Sequence, residues 1–396
     1  MTSKHTPLLH FPHSARITLA GLCETLRGRK SVLTAIVLLA SLAITGCTQI
    51  GPMSVRNGRP RYNQAFAYST DEELLLNIVR LRYRDTPFFL NVDKVAASVY
   101  ASADISGLYP LGDGSSNLRM RRFSNVAPPH FSASVNESPT VFYSPMEGER
   151  YARQMMSRLN FDVLLLLVNS GWSIERLMAV TLQEMNGLKN APTASGPTPS
   201  KEPEFREFRE ALRCLRSLQV KGLVELAKGD AEDESAVYLR ITNGEKDEDA
   251  VKFKKMLGLS KDQTNFQLKA GMGRGDGESI YVITRPVIST LNYLSQSVIA
   301  PDSDVTAGRV TKTLQNSGAP FDWQDLFSGI FKIQSSSGLK PRNASTAVEY
   351  RGTWFYIADN DLDSKSTFSL LTQILALQSG KAAGKETPLT FSFGGK

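Results

Sequence analysis

Phe205-Arg-Glu-Phe208-Arg-Glu-Ala-Leu212-Arg-Cys-Leu215-Arg-Ser-Leu218 spaces its large apolar residues at intervals of three and four, with arginine and glutamate between them. That is one buried face of a helix, and Gly222 is placed to end it. The period then changes. Val237, Leu239 and Ile241 alternate with Tyr238, Arg240 and Thr242, the pattern of a half-buried strand. Further strands are expected over 280–284, 330–335, 347–357 and 389–393, and helices over 287–297 and 364–377. Helices and strands joined by hairpin-like links, without strict β-helix-β alternation, predict an α+β fold with mainly antiparallel strands.

Upstream, Ala191-Pro-Thr-Ala-Ser-Gly-Pro-Thr-Pro-Ser-Lys-Glu-Pro203 holds four prolines and no large apolar residue, so an exposed linker is expected over 191–203. It would separate an α+β domain over 63–190 from a second over 204–396. The first opens with a helix expected from 70 to 83. Thr70-Asp-Glu-Glu73 has the form of a capping box, Leu74, Leu75, Ile78 and Leu81 share a face, and Arg80, Arg82 and Arg84 crowd the last turn, where cations suit the helix dipole. Strands are expected over 88–92, 97–105 and 131–142, then helices over 148–159, 161–168 and 173–185. Leu164 to Val168 is apolar throughout and reads as a buried helix, far too short to cross a bilayer.

The N-terminal segment gives an address. Arg27, Arg29 and Lys30 precede an uncharged run from Ser31 to Gly46, the layout of a secretory signal over residues 1–46. Ile44-Thr45-Gly46-Cys47 resembles the lipobox of bacterial lipoproteins. The resemblance implies diacylation of the Cys47 sulfur, cleavage before it and acylation of the new amino terminus, with 47–62 as lipidated cysteine and membrane-proximal spacer. Several acyl chains together anchor firmly, each buried methylene contributing about 0.8 kcal/mol. Thr48 stands where an inner-membrane retention aspartate would be, so the expected location is the periplasmic face of the outer membrane. An uncleaved inner-membrane signal anchor is the alternative.

Charge and cysteine counts change with that reading. The whole chain carries +7, the leader +4 from Lys4, Arg16, Arg27, Arg29 and Lys30 against Glu24, which leaves +3. A nearly neutral body does not call for nucleic acid as a partner. Of three cysteines, Cys23 leaves with the leader and Cys47 carries lipid, so Cys214 is alone and no intramolecular disulfide forms. Its place in an apolar run predicts a buried small hydrophobe.

Most chemical motifs fail on context. Gly271-Met-Gly-Arg-Gly-Asp-Gly277 has the composition of a phosphate loop, but Glu278 to Thr284, directly after it, reads as a strand, so a hairpin connection is expected. Asp359-Asn-Asp-Leu-Asp363-Ser364 begins like an EF-hand loop, yet Ser364 occupies the glycine position and Leu370 the bidentate glutamate position. A polar turn capped by Asp363 or Ser364 is the plainer account. His130 is the one histidine beyond the leader, which excludes a multi-histidine metal site and comes without a nucleophile elbow. No catalytic residue, metal or cofactor is assigned.

What remains is aromatic. Tyr350-Arg351-Gly-Thr-Trp354-Phe-Tyr356-Ile357 packs four aromatics into eight residues, with Gly352 suited to a tight turn. Burial in a core hairpin and exposure as a docking surface are both open, and Arg351, Trp354 and Tyr356 are the candidate binding residues. This stretch, together with Leu74-Leu-Leu-Asn-Ile-Val-Arg-Leu-Arg-Tyr-Arg-Asp-Thr-Pro87 and Asp363-Ser-Lys-Ser-Thr-Phe368, resembles a group of proteobacterial proteins, many of them predicted lipoproteins. The resemblance implies an envelope location and carries no activity, cofactor or site residue. The functional expectation is a non-catalytic lipoprotein that binds an envelope partner protein and reaches the membrane through its lipid. Two alternatives stand beside it: an envelope glycan or peptidoglycan hydrolase using a carboxylate pair, and a small-ligand or lipid carrier with an apolar cavity.

Overall fold

A computed structural model describes residues 56, 58–106, 130–197, 199, 201–229, 235–242, 245–273 and 276–380. The leader with Cys47 and the strand expected over 389–393 lie outside the described residues. The fold is α+β, and the described residues form two compact units: 56, 58–64, 92–106 and 130–142 in one, and those of 65–91 and 143–380 in the other. The strands β1 (Leu90–Ser106) and β2 (His130–Pro145) pair as a two-stranded sheet, most of whose residues belong to the first unit. The two strands expected over 88–92 and 97–105 are thus one.

The second unit is built on a six-stranded sheet. Its strands are β3 (Leu182–Met185), β4 (Leu188–Lys189), β5 (Val224–Lys228), β6 (Val237–Ile241), β7 (Asn265–Ala270) and β8 (Ser279–Thr284), in the order β4-β3-β8-β7-β6-β5. All neighbours are antiparallel except β7 and β8, which run parallel with Leu268 opposite Ile280. The hairpin expected at 271–277 is therefore not formed, since the strands that flank it run parallel. Gly273 is required there because a Cβ at that position would sit 2.6 Å from the Tyr281 ring.

Helix α5 (Arg206–Val220) matches its sequence pattern, burying Phe208, Leu212, Leu215 and Leu218. Gly222 takes φ +70 beyond its end, and the Leu223 amide donates to the Leu218 carbonyl at 2.8 Å. Beside it lies α6 (Glu248–Leu257), capped by Asp247, whose carboxylate accepts from the amides of Asp249 and Ala250. Cys214 is buried, as its place in an apolar run predicts.

Segment 191–203 is not an exposed linker. Ala191 and Ala194 are fully buried, a 3-10 turn over Pro192–Ser195 packs against α7 (Val287–Ser295), and strands from both sides of the segment share the six-stranded sheet. Small side chains let this proline-rich stretch lie flat on a helix. The division between units accordingly falls elsewhere.

Four helices also depart from expectation. The first, α1, runs over 58–82, so Thr70 lies mid-helix and cannot cap; Glu73 instead accepts from the Leu90 amide at 2.9 Å. The stretch 148–159 is a single helical turn, α2 (Gly148–Tyr151), followed by a π turn over Ala152–Met156. The helix expected over 173–185 ends at Thr181 as α4 (Ile174–Thr181), and Leu182–Met185 joins the sheet. Between them α3 (Phe161–Asn169) buries Val163, Leu164 and Leu167 but leaves Leu166 exposed, so it is amphipathic and not buried all round.

A buried cation ties these pieces together. Arg285 is fully buried, between β8 and α7, and no carboxylate pairs with it among the described residues. Its guanidinium donates to the carbonyls of Val180, Leu182 and Asn190 and to Ser195 Oγ, and its Cζ lies 4.0 Å from the centroid of the Tyr293 ring. Burial lowers its pKa to about 10, so it stays charged at neutral pH. The cation's field and the ring thus hold the end of α4, the start of β3 and the 190–195 segment on α7.

The remaining elements are the short α8 (Asp302–Thr306) and α9 (Trp323–Phe327), a three-stranded antiparallel sheet and the final helix α10 (Leu362–Gly380). The sheet contains β9 (Gln334–Ser337), β10 (Ala344–Tyr350) and β11 (Thr353–Ala358) in the order β10-β11-β9, so the single strand expected over 347–357 is a hairpin.

Candidate functional site

The hairpin turns at Arg351 and Gly352, both with positive φ (+52 and +77), the requirement of a two-residue turn whose twist matches its strands. Pairing places Trp354 beside Glu349 and Ser336, and Tyr356 beside Ala347 and Gln334. Trp354 and Tyr356 therefore share one face, while Phe355 and Ile357 are buried on the other.

Arg351 does not join that face. Its guanidinium lies over the rings of Tyr83 and Tyr350, at 5.1 and 5.5 Å, and donates to Asp85 at 2.9 Å. The Tyr350 hydroxyl also donates to Asp85, and these two donors hold its carboxyl below the usual range. The end of α1 and the tip of the hairpin, far apart in the chain, thus meet in space. Tyr356 donates to Gln334 at 2.9 Å, so its hydroxyl is also engaged within the sheet.

Trp354 has a different setting. It is half-buried in the wall of a groove of about 430 Å³, with Leu76 and Arg80 of α1, Phe88, Lys340 and Glu349 among the other lining residues. Lys340 Nζ stands 5.6 Å from the centroid of the indole and 3.4 Å from Glu72. Ala347, Val348 and Glu349, three consecutive residues of the edge strand β10, all line the groove, which therefore follows the strand's outer edge.

Asn77 shapes the opposite wall. This fully buried side chain donates to the Phe88 carbonyl at 2.7 Å and accepts from the Phe88 amide at 2.9 Å. A strand-like clamp of this kind fixes the chain leaving α1 and leaves the Phe88 ring 48% exposed at the groove. Glu73, also lining the groove, has its pKa raised by burial, opposed by the Leu90 amide and Arg80. Sequence reasoning singled out Trp354 but not Phe88, Lys340 or Glu73. An asparagine in the apolar face of the 74–81 helix was the available signal, since a buried amide needs backbone partners.

Elsewhere the acidic turn at 359–363 is fully engaged. Asp361 accepts from both the amide and the hydroxyl of Ser364 and so caps α10, Asp359 pairs with Lys365 and Asp363 with Arg176. The cap is Asp361, in place of the expected Asp363 or Ser364. A small cavity of about 50 Å³ between α4, α5 and α9, lined in part by Phe208, Leu212 and Tyr293, has room for a water and not for a lipid. His130 begins β2, and among the described residues no helix is long and apolar enough to cross a membrane. Compared with family models, with curated proteins and with solved structures, the chain gives no match.

Proposed function

We propose that the chain is a lipid-anchored protein of the periplasmic face of the outer membrane, with a non-catalytic role in which the Trp354 groove holds an extended segment of an envelope partner protein. The observation that carries the binding reading is the groove itself: an indole, an exposed phenylalanine and a strand edge that pairs with no other strand among the described residues converge on one channel. An extended peptide satisfies an open edge by main-chain hydrogen bonds and places alternate side chains in flanking pockets. Three carboxylates, Glu72, Glu73 and Glu349, against Arg80 and Lys340 favour a segment with basic as well as apolar side chains. The anchor reading rests on Ile44-Thr45-Gly46-Cys47. Cys47→Ser tests it by fractionation: release of folded protein from the membrane supports the lipid anchor, and retention favours an uncleaved signal anchor.

One observation favours a second reading. Glu73, its pKa raised by burial, shares the groove with Glu349 and with an indole able to stack on a sugar ring, a carboxyl pair of the kind a glycan hydrolase uses. Hydrolysis of purified peptidoglycan that disappears in Glu73→Gln would establish it; no turnover by the wild-type chain would leave the binding reading alone.

A further inference from the structure

The groove beside Trp354 continues past Ala347. A second hollow, of about 260 Å³, adjoins it along the same two walls: in α1 Asp71 precedes the groove residues Glu72 and Glu73, and in β10 Ser345 and Thr346 precede Ala347, Val348 and Glu349. The outer edge of β10 pairs with no other strand among the described residues, so a chain laid along that edge passes both. Helix α10 supplies the rest of the wall, with Phe368, Ser369, Thr372 and Gln373.

Asp71 is the group without a counterpart. Of the three consecutive acids on α1, Glu72 pairs with Lys340 at 3.4 Å and Glu73 accepts from the Leu90 amide at 2.9 Å, whereas Asp71 has neither cation nor donor among the described residues. It is half-buried, and burial alone raises its pKa, as happens to a carboxylate drawn out of water with nothing to offset the loss. Lys365, the cation in the lining, is engaged by Asp359, whose carboxylate it reaches at 2.6 Å and whose carbonyl at 3.1 Å. The hollow therefore carries one unmatched negative charge.

The rest of the lining selects among cations. Ser345, Thr346, Ser369 and Thr372 bring hydroxyl oxygens to one place. Thr372 already donates to the Phe368 carbonyl at 3.1 Å, so its oxygen is left to accept. A primary ammonium has three donors and no acceptor, and a carboxylate ringed by hydroxyls replaces its water shell. A guanidinium calls for acceptors paired in a plane. Calcium calls for about six to eight oxygens, several from carboxylates, and no group of three acids, histidines or cysteines among the described residues is placed to hold a metal. Ile357 and Phe368, also in the lining, suit the methylene stem of a lysine.

We propose that the Asp71 hollow is a subsite for the ammonium of a lysine side chain, carried by the extended segment that lies along β10 in the Trp354 groove. An extended chain advances about 3.3 Å per residue, so the lysine stands roughly two to four residues from the side chain beside Trp354. The source of the lysine rests on the groove reading; the affinity for an ammonium does not.

The test uses full-length protein in detergent micelles with isotope-labelled aspartate carboxyl carbons, the Asp71 resonance being identified by its loss in Asp71→Asn. Its titration is followed by nuclear magnetic resonance with N-acetyl-lysine methylamide, and with N-acetyl-norleucine methylamide plus tetramethylammonium chloride at matched ionic strength. An ammonium held at the carboxylate lowers the pH at which Asp71 titrates, by about one pH unit. That change is expected with the lysine compound alone. Thr372→Val should raise the half-saturating concentration about fivefold, the effect of losing one hydrogen bond. Asp71 titrating alike in the two solutions would overturn the subsite. Trp354→Ala should leave the lysine response unchanged, so the two readings fail separately. An intact Asp71 response without capture of an envelope partner removes the groove reading only, and an Asp71 that ignores the lysine compound removes the subsite whatever occupies the groove.

Discussion

Arg351 Nη2 lies 2.9 Å from Asp85 Oδ2, joining the turn of the β10–β11 hairpin to the chain just beyond α1 and its C-terminal turn. The same guanidinium covers Tyr83 and Tyr350, whose rings meet edge to face at 5.5 Å. An arginine that looked available for a partner is thus part of the joint that fixes the Trp354 strand.

Tyr350→Phe removes the largest of the influences that depress the Asp85 pKa. A carboxyl whose folded pKa is lowered contributes stability above its unfolded value, near 4, and loses it as pH falls through the folded value. The variant should therefore be less stable than wild type at pH 7, with the gap closing in acid, and amide exchange at the hairpin turn should speed up. Urea melts across pH 2–7 check the first point and hydrogen exchange the second.

Tyr83→Phe acts on a more enclosed pair. The Tyr83 hydroxyl donates to the buried Asp304 at 2.6 Å, with Arg309 on the other carboxylate oxygen. This donor, first among the causes, lowers the Asp304 pKa. Its loss should cost about 2 kcal/mol at neutral pH, the range of a hydrogen bond to a charged group, and the difference should shrink below about pH 4 as Asp304 protonates. Denaturant midpoints at pH 7 and pH 3 read both.

Arg285→Met should destabilise the second unit by about 3 kcal/mol or more, because buried carbonyls of Leu182 and Asn190 lose their donor while the apolar volume is kept. Arg285→Lys should rescue only partly, since one ammonium cannot reproduce a planar fork spread over several acceptors. Thermal melts of the three proteins give the order. Equal stability of Arg285→Met and wild type would mean the cation is replaceable by apolar packing.

How far the sequence could be read depends on the range of the forces involved. Helix α5 was legible because its apolar spacing is local and unbroken from Phe205 to Leu218. Thr70 to Glu73 looked like a cap because capping is local too, yet the residues before it continue the helix and Glu73 is drawn to the Leu90 amide. Leu182–Met185 fits either period over so short a run, and pairing with β8 decides it. The parallel β7–β8 pair was illegible, since a glycine-rich link permits a hairpin or a return loop equally. Ala191 and Ala194 misled through composition, small residues being as suited to close packing under α7 as to an exposed tether.

The site divides in the same way. Trp354 stood out by aromatic density, and the parity of β11 puts it with Tyr356. Phe88 and Lys340 are ordinary in sequence and gain meaning only where α1, the chain after it and the β10 edge come together. Arg285 has no sequence signature, because its hydrogen-bond partners lie about 90 to 105 residues away.

The central claim is that a partner occupies the Trp354 groove while the chain is anchored. A photo-crosslinking residue placed at Phe88, in cells that keep the native Cys47, tests it most directly, with mass spectrometry of the adducts. A reproducible adduct with an envelope protein is predicted, and Trp354→Ala should reduce it by roughly thirtyfold, the effect of losing a contact worth about 2 kcal/mol. No adduct at Phe88, or one that Trp354→Ala leaves unchanged, would contradict the account.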